Sequence, residues 1–300
     1  MISSFGDLAT EIVDGILNCA DYDSVLRMQH LDPESTWHCV AKERMGDFVD
    51  TTIIDVPKRG LPTAKTLQMR HMMKDPFLGD PFRARPRRVL IQSSRSRFWT
   101  EGFSLDRLRV VTSNVVEFQL KSLHLSAANI DFYASLCGAA LFRLELLDVT
   151  YDQPEHLFRL IRDLFSRSDV RWKAELRSFQ IKPDFLEYIV QLYRIGLGHL
   201  FHSNVFTVSD GRMLQWLLDA WVETGGHAFF EFKNEKCEFM DLPDGVNVVQ
   251  RGETRVVGCK VVKREEGQFC FIVTQQLQHD QCWIRVNMSA FLKRGPNGNQ

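Results

Sequence analysis

The sequence has none of the short motifs that hold a phosphate or arm a nucleophile. It contains no Gly-x-x-x-x-Gly-Lys-Ser/Thr loop and no Gly-x-Gly-x-x-Gly turn, so the backbone cradle those glycines build is missing. No Gly-x-Ser-x-Gly elbow occurs. Gly196-Leu197-Gly198 instead follows a helical pattern, where glycine commonly ends helices. Cysteines number seven, at 19, 39, 137, 237, 259, 270 and 282, and no two are spaced as Cys-x-x-Cys. His279 and Cys282 have the spacing of a ligand pair, but a second pair would have to come from Cys259 and Cys270, far apart in sequence. His199 and His202 have no acid or thiol fixed to them by spacing. The expectation is reduced, buried thiols, no metal, no cofactor and no enzyme activity, although sequence alone leaves a thiol enzyme open.

Charge of one sign is also scarce. The formal net charge is -1, from 37 Lys and Arg against 38 Asp and Glu. Such a balance argues against a dedicated nucleic-acid or membrane-surface protein. No run of about 18 apolar residues is present and no charged-then-apolar leader opens the sequence, so a soluble intracellular protein of cytoplasm or nucleus is expected. At 44% hydrophobic the chain can bury a large core, which excludes wholesale disorder. Its length suits a small module plus one domain of about 200 residues.

What is present begins near the N-terminus. After Asp7, a plausible N-cap, Ile12, Val13, Ile16 and Leu17 fall on one helical stripe. Asp23 or Ser24 can cap a second helix carrying Val25, Leu26 and Met28. A third, opening near Pro33-Glu34, would carry Trp37, Val40, Ala41 and Met45. Three such helices bury too little to stand alone, and need a partner surface or the rest of the chain.

Residues 5–48 resemble an F-box, the helical module that docks a substrate receptor onto a ubiquitin ligase. Leu8, Ala9 and Glu11 stand at the family's Leu-Pro-x-Glu opening, Ile16 and Leu17 at the apolar pair ending the first helix, and Leu26 at the leucine of the second. Ala9 replaces the proline, Ala20 replaces a leucine, and Trp37 arrives late. The resemblance implies that a Skp-type adaptor of a cullin-RING ligase docks on a surface presented or supported by Leu8, Ile12, Ile16, Leu17, Leu26 and Trp37. The alternative is a helical cap on an α/β domain, a scaffold whose degenerate F-box binds no adaptor.

Residues 49–100 hold five of the ten prolines and read as a connector with short strands, Thr52 to Val56 and Val89 to Gln92. Within it, Arg83, Arg85, Arg87, Arg88, Arg95 and Arg97 lie among Phe82, Phe98 and Trp99, with no acid from 82 to 99. Arginines interleaved with aromatics suit phosphopeptides or nucleic acid, or else form a solvated strip pairing with acids elsewhere.

From 101 onward, strand-like segments recur at Leu123-His124-Leu125, Leu147-Asp148-Val149, Phe179-Gln180-Ile181 and Phe206-Thr207-Val208. Three sit in a Leu-x-x-apolar-x-apolar frame starting at Leu120, Leu144 and Leu176. A helical stripe follows each: Ile130/Tyr133/Ala134/Cys137, Leu157/Leu160/Ile161/Leu164, Leu186/Ile189/Val190/Tyr193 and Leu214/Leu217/Leu218/Trp221. A βα unit repeating every 24 to 32 residues looks like an irregular leucine-rich-repeat array, against the alternative of an ordinary α/β domain. Strands then follow, Ala228 to Phe232, Cys259 to Lys263, Gln268 to Val273 and Cys282 to Val286, with a hairpin turn at Arg264 to Gly267. This order resembles the nematode families of F-box proteins with an associated C-terminal domain.

The expected fold class is therefore α/β: an F-box-like module over 1–48, a connector over 49–100, and a leucine-rich-repeat-like domain over 101–292 with a β-rich C-terminal cap. His124, Asp148, Gln180 and Thr207 would form one outward row across adjacent strands, open to an unidentified target protein.

Overall fold

The computed structural model of the chain describes residues 8–18, 20, 22–45, 48–57, 68–72, 85–93, 108–109, 112–113, 115–138, 140–168, 175–177, 182–201, 205–264 and 267–289. They form a mixed α/β protein of two compact units, Met1–Arg171 and Trp172–Gln300.

The first unit opens with α1 (Thr10–Asn18), α2 (Tyr22–Gln29) and α3 (Thr36–Met45). Their apolar stripes meet in a small core of Val13, Leu17, Val25, Trp37, Val40 and Ala41, flanked by Leu8, Ala20 and Met28. The third helix starts later than Pro33, because Asp32 Oδ1 accepts the Glu34 N–H at 3.0 Å in a turn. Ser35 Oγ then accepts the His38 N–H at 3.1 Å as the cap. Arg44 forks onto Asp14 at 2.7 and 2.6 Å, tying α3 to α1.

The stretch expected as a connector supplies three strands: β1 (Phe48–Val56), β2 (Gln68–Met72) and β3 (Arg85–Ser93). These join β4 (Glu117–Lys121) and, beyond the two-residue β5 (His124–Leu125), β6 (Arg143–Leu147), in the order β2-β1-β3-β4-β6. Only β1 and β2 pair antiparallel. The division between the compact units falls after Arg171. Ile53, Ile54, Val56, Val89 and Ile91 are all buried. The two segments expected as short strands, Thr52 to Val56 and Val89 to Gln92, lie within β1 and β3, and their burial makes them part of a core sheet rather than of a connector. Pro57 follows β1 and Pro86 lies at the start of β3, places the ladder tolerates.

The pairing of β4 with β6 has an offset of 26 residues, and β5 with β7 (Thr150–Tyr151) has the same one. This register sets Leu120, Leu123 and Leu125 against Leu146, Val149 and Tyr151. The frame read from Leu144 is thus displaced by two, a slip that keeps every side chain on its own face and so leaves no trace in the apolar pattern. Ser122 and Asp148, which share the offset, both adopt left-handed backbone with φ of 52°. Each repeat is completed by a helix, α4 (Ile130–Ala134) or α5 (Pro154–Ser166), whose expected stripe is buried.

The second unit contains β8 (Glu175–Arg177), α6 (Leu186–Arg194), β9 (Val205–Val208), α7 (Met213–Thr224) and β10 (Ala228–Asn234). Four longer or more exposed strands follow: β11 (Asn247–Arg251), β12 (Arg255–Arg264), β13 (Gly267–Gln278) and β14 (Gln281–Met288). Their sheet runs β11-β12-β13-β14-β10-β9, with β9 parallel to β10 and every other pair antiparallel. The expected hairpin closes at the pair Arg264 and Gly267. Phe230, Phe232, Phe271, Val273, Ile284 and Val286 fill the core face. Trp221 of α7 lies 5.8 Å from the Phe271 ring and donates its indole N–H to the Ser289 carbonyl at 2.9 Å. All five β11 residues are exposed, so no alternation marked this strand in the sequence.

Candidate docking surfaces

The six N-terminal positions divide into support and surface. Leu17 and Trp37 are core residues, 1% and 2% exposed. Leu8 packs half-buried against that core, and Leu26 is half-buried on α2. Ile12 and Ile16, one turn apart on α1, are 51% and 44% exposed. Helix α1 therefore has two apolar faces: Val13 and Leu17 seal the module, while Ile12 and Ile16 form a strip open to solvent. Glu11 and Gly15, also exposed, flank it. Leu31, just after α2, is a third exposed apolar side chain at 45%.

The expected target row is not assembled. His124 lies on β5, Thr207 lies exposed on β9 in the other sheet, and Asp148 is on no strand. Gln180 lies outside the described residues. Asp148 occupies the left-handed turn between β6 and β7, because the two-residue slip placed it where Thr150 belongs. Thr150 is the true partner of His124, with Nδ1 to Oγ1 at 2.9 Å, and His124 Nε2 meets Asp152 Oδ1 at 2.7 Å. Asn129 braces the histidine by donating to its backbone carbonyl at 2.9 Å. The shared left-handed turn at Ser122 and Asp148 was the available signal: matching those two non-apolar residues gives the correct register. The resulting patch is polar, with Asp152 and Thr150 exposed.

The arginine strip is partly committed. Arg88 on β3 pairs with Glu117 at 2.6 Å, and Glu117 also meets Arg143 at 3.0 Å. Arg87 is exposed on the same strand, whereas Arg83, Arg95, Arg97, Phe82, Phe98 and Trp99 lie outside the described residues.

Sequence reasoning missed a pocket of about 420 Å³ between α6 and α7, lined by Glu187, Val190, Arg194, Arg212, Trp216 and Asp219. Arg212 lies 5.0 Å over the Trp216 ring and is held by Asp210, while Arg194 pairs with Glu223 at 2.9 Å. Both guanidiniums are thus engaged by carboxylates. Hydrogen bonding to Arg212 holds the Asp210 carboxyl below its usual range.

Among the described residues, no three His, Cys, Asp or Glu side chains gather as a metal site, and no helix is long and apolar enough to cross a membrane. Compared with protein-family models, curated proteins and solved structures, the chain matches none of them.

Proposed function

We propose that this chain is a substrate receptor of a cullin-based, SCF-type ubiquitin ligase. Its N-terminal helices dock a Skp-type adaptor, and the rest of the chain holds a target protein. The observation that carries this reading is the exposed Ile12/Ile16 strip on a helix whose opposite face already seals a core. An apolar strip of that kind on a module too small to bury it is a docking face awaiting a partner. The register repeat of β4 to α5, with its paired left-handed residues, supports the finer reading of a leucine-rich-repeat-like array. The later hairpins then serve as its β-rich cap. Catalysis is by proximity: the bound target's lysines are held near the charged conjugating enzyme at high effective concentration, and no receptor side chain joins the chemistry.

Co-expression with a Skp-type adaptor tests the reading. The wild-type chain is expected to co-purify with the adaptor, and Ile12→Asp/Ile16→Asp to lose it while melting unchanged. A wild-type chain that captures no adaptor at micromolar concentration would leave the scaffold alternative in its place.

A further inference from the structure

Strands β12 and β13 carry two free thiols, Cys259 and Cys270, both half-exposed. The register pairs Cys259 with Ile272 and Val261 with Cys270. The two cysteines are therefore diagonal neighbours on one face of the hairpin, opposite the face that buries Gly258, Phe271 and Val273. Burial raises the Cys259 thiol, and the neighbouring Cys270 adds to that rise. The Cys270 backbone is pinned from β14: its N–H donates to Ser289 Oγ at 2.6 Å, and its carbonyl accepts the Ser289 N–H at 3.0 Å.

We infer that Cys259 and Cys270 form a dithiol site that hydrogen peroxide closes to a cross-strand disulfide. Diagonal neighbours on one face lie about 7–8 Å apart, close to the upper limit that a disulfide spans, so closure draws the two strands together locally. Burial, then the neighbouring Cys270, raises the Cys259 thiol, which makes Cys259 the resolving sulfur and Cys270 the attacking one. The Cys270 thiolate attacks one peroxide oxygen and the O–O bond breaks. Hydroxide leaves, takes a proton and departs as water, and Cys270 is left as a sulfenic acid. Cys259 then gives up its proton and attacks that sulfur; the S–O bond breaks and a second water departs. Two thiols and one peroxide become one disulfide and two waters, with sulfur oxidised and peroxide reduced.

The chain supplies its own comparison. Cys282 has Cys237 near it, but Cys282 is wholly buried, and burial pushes its thiol up to about 11. That pair is expected to stay reduced.

The site is independent of the receptor reading, and its test needs no adaptor. The folded full-length chain is treated with hydrogen peroxide, free thiols are alkylated, and peptides are mapped by mass spectrometry without reduction. The expected product is one linked peptide pair joining Cys259 to Cys270, lighter by two hydrogens and restored by dithiothreitol. In Cys259→Ser, Cys270 should stop at sulfenic acid and be captured by dimedone; in Cys270→Ser, neither link nor capture should appear. A dominant link through Cys237 or Cys282 would overturn the assignment. So would wild-type Cys270 proceeding to sulfinic acid unlinked, or both thiols surviving peroxide. The wild-type map decides the matter even where a serine variant folds poorly.

Discussion

Trp37 and Ile16 belong to the same apolar set in the sequence, yet the fold gives them opposite work. Trp37 is buried among Val13, Leu17, Val25 and Val40, so Trp37→Ala is expected to cost about 3–5 kcal/mol and to melt the three-helix module. Ile16→Asp sits on the solvent face and should leave the helical signal and melting temperature nearly unchanged. Circular dichroism of the two variants distinguishes these roles. Asp148 offers a second residue-scale test. Its left-handed φ of 52° strains a residue with a side chain, so Asp148→Gly should be tolerated or slightly stabilising. Asp148→Val should cost on the order of 1–3 kcal/mol in denaturant unfolding. Which apolar residues form elements was legible at this scale; which of them face solvent was not. The stripe Ile12, Val13, Ile16, Leu17 spans both sides of α1, and only the position of α3 decides which half is covered.

The helices were the most legible elements. Each of the four predicted C-terminal stripes is buried as a set, because a helix with one apolar face has one place to put it. The strands were harder. The cores of β1 and β3 were read as strands but taken for parts of a connector, edge strand β11 had no alternation to show, and β9 was assigned to the wrong neighbours because a βα unit reads alike in either sheet. The patch of His124, Thr150 and Asp152 stayed hidden for a related reason: a two-residue slip changes no facing. At the start of α7, Asp210 Oδ1 accepts the Arg212 N–H at 2.9 Å and also binds its guanidinium. The carboxyl is held below its usual value, chiefly by that side-chain bond, so its contribution is present above the ordinary carboxylate range and is lost as pH falls through the depressed value. Urea midpoints should therefore fall more steeply from pH about 5 to about 3 in the wild-type chain than in Asp210→Asn. Equal slopes would remove Asp210 from the helix start's acid sensitivity.

For the molecule as a whole, the two units differ in how far their cores depend on late sequence. In the second unit, β9 pairs with β10, and Trp221 of α7 packs on Phe271, so the covering strands come last in the chain. Ending the chain after Gly226 should leave Phe206, Leu217 and Trp221 without that cover and yield aggregates. A soluble 1–226 fragment with a cooperative melt would contradict this packing argument. Removing residues 1–46, by contrast, takes away a module with its own small core, and should leave a soluble chain that melts cooperatively but captures no adaptor. The account turns on that capture. The direct measurement is calorimetric titration of a purified Skp-type adaptor into the full-length chain and into Ile12→Asp/Ile16→Asp. Burial of two isoleucines contributes about 1.5–3 kcal/mol each, so the wild-type chain is expected to bind at micromolar strength or tighter and the variant at least about a hundredfold more weakly. Equal affinities would contradict docking through this face, and no heat from either chain would contradict the receptor function itself.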